Sequence, residues 1–530
     1  MELKIRRKKM VLICSYRERD FPISLGSRWS GSLKSWTFSP SLMIYNAIIE
    51  RAKADSVALT VDAALETFFK NKMEKLDSFL ETREYKTTPY KHQESITSLI
   101  VNKRNCFIFA GVGTGKSKGA IDAVSYLWAK GEVKKVLVVS PASIMWNFGN
   151  EIKIHSDFDY TIIAGTLEKR RKLIHDSQTV FDIINYEILG KLTDDLIKKE
   201  YNMVIFDEIH NCKSRTSIRG KAASKIAQSI DIRVGLTGTI ISNNYDDLFM
   251  PYQIIDPSIF GSKYTSFKNR YFVMGGYMNY SIVGYQNETE IKSLVATNSI
   301  KFDIRDVMDN LPDEQNIIKS VILNTKTKKI YKELKTNMMV EHDRGDIEAS
   351  NVLERMIRLS QITSGFLVDK ENNMIDEIGR DKLEVLKETL IGITEKTVIF
   401  CRFRRSIDNV AALCDELKIS YYIYDGRTKE KDLYLKYDTD DTMVWIAQLQ
   451  KSEGYSIPAA QYCIFYELDY SRKNHIQSRG RILRATGSKH RCLFYIYLLA
   501  ENTIDQAVYK VLQTKDFNSK QALELVRGVE

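Results

Sequence analysis

The sequence predicts an α/β protein: two parallel-sheet lobes, a helical insert between them and a small α+β domain at the N-terminus. Three observations carry this. Between residues 86 and 255, six short apolar runs (CFIFA, VLVVSP, YTIIAG, VFDIINY, MVIFDE and RVGLTGT) alternate with helical patterns. Between 376 and 520, five more (KTVIFCRF, YYIYDG, TMVWIAQ, QYCIFYELD and RCLFYIYLL) alternate in the same way. Short runs apolar on both faces, spaced by helices, are the pattern of buried parallel strands covered by helices. And at 530 residues the chain exceeds one hydrophobic core, which implies about three or four units of ~100–200 residues. The expected division is 1–82, a small N-terminal domain; 86–255, the first lobe; 256–375, a Tyr-rich then charged helical insert; 376–520, the second lobe; and 521–530, a tail.

Composition narrows the function classes. The chain is 44% apolar and 28% charged with only 8 Pro, which is globular. A net charge of +10 favours a polyanionic partner. The seven Cys lie far apart with no CxxC pair. That argues against a zinc site or a disulfide framework and suits a reducing compartment. The N-terminal apolar stretch is shorter than a signal peptide's, and no run of ~18 apolar residues occurs. The expectation is a soluble intracellular protein without a membrane partner, cytoplasmic in a bacterium or virus-infected cell and nuclear in a eukaryote.

In residues 1–82 the stretch FPISLGSRWSGSLKSWTF draws attention. Trp29 and Trp36 stand seven apart, with Arg28 and Lys34 beside them. A hairpin would bring indoles and cations together to stack on exposed bases and touch phosphates. The other reading is a small β core in which both Trp are buried, and composition alone favours it.

The run NCFIFAGVGTGKSKGAIDAVSYLW reads strand, loop, helix. Its loop, Ala110 to Ser117, matches a P-loop with Ala in place of the first Gly. Gly113 and Gly115 let backbone N–H groups around Thr114 turn inward on phosphate oxygens. Lys116 reaches the terminal phosphates of ATP, and the Ser117 hydroxyl can ligate Mg²⁺. The helix begins at the phosphate, so its dipole adds to the attraction.

In MVIFDEIHNCK the strand ends on Asp207 and Glu208, at the carboxyl edge where ligands of α/β sheets bind. Adjacent carboxylates there are costly unless a cation or proton relay uses them. Asp207 is placed to hold Mg²⁺ through water and Glu208 to polarise an attacking water. An N-cap acid pair opening a helix is the plainer alternative. Further on, QSRGRILR sets Arg479, Arg481 and Arg484 within six residues, beside a strand-like run. Such fixed cations call for an anion: a bound nucleotide, or nucleic acid along a solvated helix face.

In this order the stretches resemble the motor core of superfamily 2 helicases and translocases, and within it the Swi/Snf-type ATPases. AxxGxGKS and Asp207-Glu208-Ile209-His210 carry the first likeness, with Ile209 where Ala is usual. Tyr90-Lys-His-Gln93 resembles the motif whose Gln reads adenine. Val136-Leu-Val-Val-Ser-Pro141 with Trp146-Asn147 resembles motif Ia, and Asn185-Tyr186-Glu187 the TYE element; Lys213 matches a lysine typical of the family. Gly235-Leu-Thr-Gly-Thr239 and Ser242-Asn-Asn244 resemble LTGTPxxNN, with Ile240 in place of Pro. Asp309-Asn-Leu-Pro312 resembles the start of the second lobe. Lys396–Phe403 and Asp425-Gly426 resemble motif IV and its following strand. Ser452-Glu-Gly454-Tyr-Ser456 resembles motif V, with Ser452 for Gly and Ser456 for Asn. Gln477-Ser-Arg-Gly480-Arg481-Ile-Leu-Arg484 matches QxxGRxxR, motif VI. The likeness covers about residues 86–515.

The resemblance implies two RecA-like lobes that use ATP and Mg²⁺ (Mg2+). It implies that Gln93 and Gln477 contact the nucleotide, that Lys116, Asp207, Glu208 and His210 serve hydrolysis, and that Arg481 and Arg484 are arginine fingers. Thr237, Thr239, Gly454 and Ser456 would couple ATP state to DNA. Arg479 falls on a variable position and is expected to touch DNA or solvent. Residues 21–38 also resemble the HARP domain of annealing helicases at Gly26, Arg28, Trp29, Lys34, Trp36 and Phe38, with the Pro displaced to position 22. The expected function is an ATP-driven translocase on duplex DNA that remodels or anneals forked or branched DNA in replication, recombination or repair. It would act alongside a partner protein of those processes, and a monomer suffices. The alternatives are a strand-separating helicase, a motor that clears proteins or RNA polymerase from DNA, and a non-hydrolysing, ATP-gated DNA-binding protein. The intact Lys116, Asp207, Glu208, Arg481 and Arg484 argue against the last.

Overall fold

The computed structural model describes residues 1–6, 9–14, 28–31, 33–38, 58–67, 85–111, 113–238, 245–275, 281–308, 311–337, 339–340, 347–348, 352–368, 374–428, 433–451, 455–483 and 490–513, together with positions 22, 45, 48, 49, 52 and 430. The chain divides into two compact units, Met1–Asp303 and Ile304–Glu530.

The first unit is built on a seven-stranded, all-parallel sheet. In chain order its strands are β1 (Asn105–Ala110), β2 (Val136–Ser140), β3 (Tyr160–Ile162), β4 (Phe181–Asn185), β5 (Met203–Asp207), β6 (Ile232–Thr237) and β7 (Ser299–Phe302). In space they run β7-β1-β6-β5-β2-β4-β3. Side chains alternate between two cores, as the strand period of two requires. Phe107, Phe109, Leu137, Val139, Val204 and Phe206 pack on one face. Cys106, Ile108, Val136, Val138, Met203 and Ile205 pack on the other. Helices α1 (Lys91–Lys103) and α2 (Lys116–Ala129) cover that second face through Ile96, Ile100, Ile121, Val124 and Leu127.

The second unit repeats the plan with six parallel strands: β8 (Asp313–Val321), β9 (Thr397–Cys401), β10 (Tyr421–Tyr424), β11 (Val444–Gln448), β12 (Tyr462–Phe465) and β13 (Cys492–Ala500). Their order is β8-β13-β12-β9-β11-β10. Val398, Phe400, Trp445 and Tyr497 face one core, and Ile399, Ile446, Ile464 and Leu498 the other.

Residues 256–375, expected as a helical insert, are instead shared between the units. Residues 256–303 belong to the first, and their last strand, β7, closes its sheet beside β1. Residues 304–375 belong to the second, where β8 forms the edge beside β13 over nine residue pairs. Both strands are edge strands, half exposed and polar in sequence (SIKF and DEQNIIKSV), so neither announces itself by an apolar run.

The N-terminal residues form a separate five-stranded sheet, ordered 28–30, 35–38, 9–13, 2–6, 60–61. Leu3, Met10, Leu12, Ile48 and Leu65 make its small core. The helical pattern near 58–80 is realised at 63–67, and its remainder lies outside the described residues. All seven cysteines are free. Among the described residues, no helix is long and apolar enough to cross a membrane, and no group of three or more His, Cys, Asp or Glu is placed to hold a metal ion alone.

Gly235 on β6 tests the packing of the first sheet. A Cβ there would lie 2.7 Å from Phe107 Cδ1 and 3.3 Å from Ile209 Cδ1. Overpacking of this kind costs ~1–3 kcal/mol. The Gly235→Ala protein is expected to show a lower Tm in scanning calorimetry, whereas Gly131→Ala, whose Cβ meets open space but whose φ is +72°, reports strain alone.

Candidate active site

Parallel strands end at one edge, and that edge of the first sheet collects Ala110, Ser140, Asp207 and Thr237. The loop after β1 carries Gly113 at φ 85° and Gly115 at φ 73°, both left-handed. Gly115 is the N-cap of α2. A Cβ on it would also sit 2.1 Å from Gln93 Nε2, so glycine is required there twice over. Thr114 is fully buried, and its Oγ1 donates to Gly111 O at 2.9 Å. Lys116 Nζ donates to Ala110 O (2.8 Å) and Gly111 O (3.2 Å), so the ammonium lies back over its own loop. Ser117 follows in the first turn of α2.

Gln93, which the resemblance assigns to adenine, is buried beside this loop. Its Nε2 lies 3.5 Å from Thr114 O, and its Oε1 accepts from Tyr90 N at 3.0 Å. The ring of His92 meets the same carbonyl, Nε2 to Thr114 O at 2.7 Å.

Asp207 and Glu208 are both buried. Asp207 Oδ2 accepts from Ser140 Oγ at 3.3 Å, and its carbonyl accepts from Tyr186 OH at 2.8 Å. Burial, and then the charge of Glu208, push the Asp207 carboxyl up to about 7, against the pull of Lys116 and Ser140. Glu208 sits at φ 52°, ψ 51°, a left-handed conformation that costs a non-glycine residue ~1–3 kcal/mol. Asn211 holds it there, its N and Nδ2 donating to Glu208 O at 3.0 and 2.9 Å. His210 Nδ1 lies 3.2 Å from Glu208 Oε2 and 3.0 Å from Thr237 Oγ1, so the imidazole bridges the ends of β5 and β6. Among the described residues, its buried Nε2 has no hydrogen-bond partner.

This donor set fits a nucleotide with Mg²⁺. The loop is held open by glycine where a Cβ would collide. The oxygen atoms on offer to a cation are a hydroxyl at the helix start and a carboxylate at the strand end. Mg²⁺ takes one or two carboxylates and completes its shell with water and substrate phosphates, so a larger protein cluster is not needed.

In the second unit, helix α3 (Arg472–Arg479) is capped by Ser471, whose side chain accepts from Asn474 N. Gln477 is buried, and its Oε1 has no hydrogen-bond partner among the described residues. Arg481 is buried too. Its Nε donates to Gln477 O (2.9 Å) and its Nη1 to Tyr455 O (2.5 Å). Ile457 N donates to Arg481 O at 3.0 Å, which ties the segment around Ser456 to this turn. Arg484, Thr239 and Gly454 lie outside the described residues.

Arg479 is a correction. Expected to face DNA or solvent, it is folded inward: its guanidinium makes an ion pair with Glu314 and hydrogen bonds to Asn316 and Tyr497. Those partners lie 163 and 165 residues upstream and 18 downstream, out of reach of any local pattern.

The N-terminal pair fits neither sequence expectation whole. Trp29 and Trp36 face each other across the hairpin, ring centroids 5.4 Å apart and edge to face. Trp36 packs partly against the small core, while Trp29 is 56% exposed. Lys34 is exposed at the turn with φ 46°. The side chain of Arg28 is outside the described set.

Sequence reasoning placed Ser140, Tyr186 and Tyr455 inside stretches that resemble family motifs but gave none of them a role. The structure sets Ser140 against the Asp207 carboxylate, Tyr186 against the Asp207 carbonyl and Tyr455 against Arg481.

Residues 79–365, more than half the chain, match the family model of the SNF2-related domain, and residues 381–486 match that of the helicase conserved C-terminal domain. An uncharacterised ATP-dependent helicase of Mycoplasma genitalium is 24% identical over 428 residues, 78% of this chain and 40% of that protein. Chromodomain-helicase-DNA-binding protein 7 of Homo sapiens is 21% identical over 475 residues, 81% of this chain and 15% of that protein. The chain thus spans about two fifths or less of these relatives' length. The solved Sulfolobus solfataricus SWI2/SNF2 ATPase core in complex with dsDNA is similar at TM-score 0.41 and 18% identity, covering 84% of this chain and 94% of that one.

The raised Asp207 carboxyl predicts an inversion of stability and activity. A folded-state value of about 7 lies above the ordinary one near ~4, so the native state holds the proton more tightly than the unfolded chain. Stability is therefore lost as pH rises from about 4 to about 7. Asp207→Asn removes that penalty. Without nucleotide or divalent cation, its Tm should exceed the wild-type value by a few degrees at pH 8 and converge with it at pH ~4, while ATP hydrolysis is lost.

Proposed function

The chain belongs to the SNF2-related family, and on that premise we propose that it is an ATP-driven translocase that moves on duplex DNA and remodels or anneals forked or branched DNA. One observation carries the ATPase half of this reading. The P-loop lysine and the acid pair occupy one edge of one sheet, close enough that Lys116 pulls down the Asp207 carboxyl.

The chemistry follows from the residues. Backbone N–H groups of the Gly113–Ser117 turn and the start of α2 bind the phosphates of ATP. Lys116 leaves its loop carbonyls for the terminal phosphates. Ser117 and Asp207 would hold Mg²⁺, which supplies charge neutralisation at the transferring phosphoryl group. Glu208 orients the attacking water, and its strained backbone keeps the carboxylate turned toward that task. His210 passes the state of Glu208 to Thr237 on the neighbouring strand. Gln477, Arg481 and Arg484 supply the contacts and positive charge that phosphoryl transfer gains from arginine fingers, worth ~10³–10⁵ in rate.

The DNA half rests on other features. A net charge of +10 suits a polyanion. The exposed Trp29 beside Lys34 offers a stacking face on a segment that resembles the HARP domain. Replication, recombination or repair of branched DNA, with a partner protein from those processes, is the setting this implies. A second reading, a strand-separating helicase, has one observation in its favour. Strands Phe272–Gly275 and Ser281–Tyr285 pair as an antiparallel hairpin with Val273, Ile282 and Val283 exposed.

The test is steady-state ATP hydrolysis with no DNA, single strand, blunt duplex and fork, at low and moderate salt. The expected result is strong stimulation by duplex and fork but not by single strand. Equal stimulation by single strand would move the assignment to the strand-separating reading. Lys116→Ala should remove hydrolysis under every condition. Trp29→Ala, which leaves the small core intact, should reduce fork stimulation several-fold and spare hydrolysis without DNA.

A further inference from the structure

In the stretch that resembles motif VI, Arg479 is tied to two strands of its unit. Its Nη2 donates to Glu314 Oε2 at 2.6 Å, and its Nη1 to Asn316 Oδ1 and Tyr497 OH, each at 2.6 Å. The guanidinium lies 3.6 Å from the ring centroid of Tyr495, whose hydroxyl donates to Arg479 O at 3.2 Å. Head group and backbone of one residue are thus fixed to β8 and β13. Glu314 and Asn316 stand two apart on β8 and so present to the same face of the edge strand. One turn earlier on α3, His475 Nε2 meets Tyr497 OH at 3.0 Å. Burial, with Arg479 and Arg472 nearby, pushes this imidazole down to about 3, so it stays neutral beside the guanidinium.

The pair is shielded, with side chains 17% and 11% exposed. Breaking one partner of a shielded pair strands the other's charge, which distinguishes it from a surface ion pair. The second oxygen of Glu314 takes Arg305 at 2.5 Å, on the short helix Ile304–Val307 that opens this unit. Glu314 therefore joins the first residues of the unit to motif VI.

Arg481 has different anchors. Its side chain bonds to Gln477 O in the last turn of α3 and to Tyr455 O in the segment that resembles motif V. Neither bond reaches β8. His475 and Arg479 tie α3 and the turn through Gly480 to this edge of the sheet.

We propose that Arg479, gripped by Glu314, is a positioning residue for ATP hydrolysis: the ion pair fixes the Arg479–Arg481 turn against the sheet so that Arg481 and Gln477 meet the nucleotide in one orientation. This rests on the reading of Arg481 as a nucleotide-facing arginine. A misplacement of about 1 Å in such a group costs up to ~10²-fold in rate without weakening substrate binding in proportion.

The experiment measures kcat and KM for ATP at saturating duplex DNA for Arg481→Ala, Arg479→Gln, Arg479→Lys, the near-isosteric Glu314→Gln and the exchange Glu314→Arg with Arg479→Glu. Circular dichroism at the assay temperature checks that each is folded. Arg481→Ala should lose kcat by ~10³-fold or more. Arg479→Gln and Glu314→Gln should lose ~10-fold or more in kcat with KM for ATP within about twofold of wild type. Arg479→Lys should recover little, because an ammonium lacks the fork that reaches Glu314, Asn316 and Tyr497 together. The exchange should restore only part of kcat, because it sets the new guanidinium beside Arg305 and places an acceptor where Asn316 Oδ1 needs a donor. If Glu314→Gln and Arg479→Gln keep kcat within twofold while Arg481→Ala loses it, the positioning role is overturned and the reading of Arg481 survives. If Arg481→Ala keeps full kcat, both are overturned.

Discussion

Two carboxylates on adjacent residues at the end of a buried strand set the terms for everything around them. Asp207 and Glu208 are both shielded from water, and each makes the other's charge harder to bear. Their neighbours soften this without cancelling it. Ser140 donates to Asp207, Tyr186 and Asn211 hold the two backbone carbonyls, and His210 meets Glu208. What remains is a site with unmet demand for positive charge, at the edge where Lys116 and the first turn of α2 begin. Parallel register makes the convergence unavoidable. Phe206 lies beside Val139, Asp207 beside Leu236, and Leu236 beside Ile108, so chain segments far apart in sequence end at one place.

The second unit shows what a carboxylate looks like when its neighbours do satisfy it. Glu467 directly follows the residue after β12, and it is as buried as the pair in the first unit. Its Oε2 accepts from Arg402 N at 2.7 Å, and its Oε1 accepts from Ser406 Oγ. Burial still holds its carboxyl above the ordinary value, with Lys382 and these donors offsetting part of the rise. It sits in ordinary geometry, absent from the left-handed set that includes Glu208. The same architecture thus places one acid in ordinary backbone geometry and two others side by side, where backbone strain at Glu208 and mutual repulsion set the pair apart.

Much of this was legible in the sequence, for a physical reason. All eleven apolar runs became strands: nine lie inside the two sheets, where a strand buried on both faces must be apolar on both, while YTIIAG and YYIYDG became the edge strands β3 and β10. The P-loop was legible because its geometry is local. Glycine at 113 and 115 is demanded by backbone angles that no other residue adopts cheaply. The edge strands β7 and β8 were not legible. An edge strand is half solvated, so SIKF and DEQNIIKSV carry too little apolar content to stand out from the helices beside them. Missing them turned the first and last strands of two sheets into an apparent insert.

Arg479 was misread because charge spacing reveals chemistry without direction. Three arginines in QSRGRILR look alike on paper. The fold separates Arg479 from Arg481 by what lies beside the helix: an edge strand carrying Glu314 and Asn316, and two tyrosines of β13 that offer a ring face and a hydroxyl. A guanidinium with five donors can satisfy all of these at once, which no ammonium can. Local motifs are readable when the backbone itself imposes the geometry, as at Gly115. They mislead when a long side chain chooses among partners brought together only by the fold. On the proposed reading the consequence is a division of labour within three residues, in which one arginine holds the turn and its neighbour two positions on is left to the nucleotide.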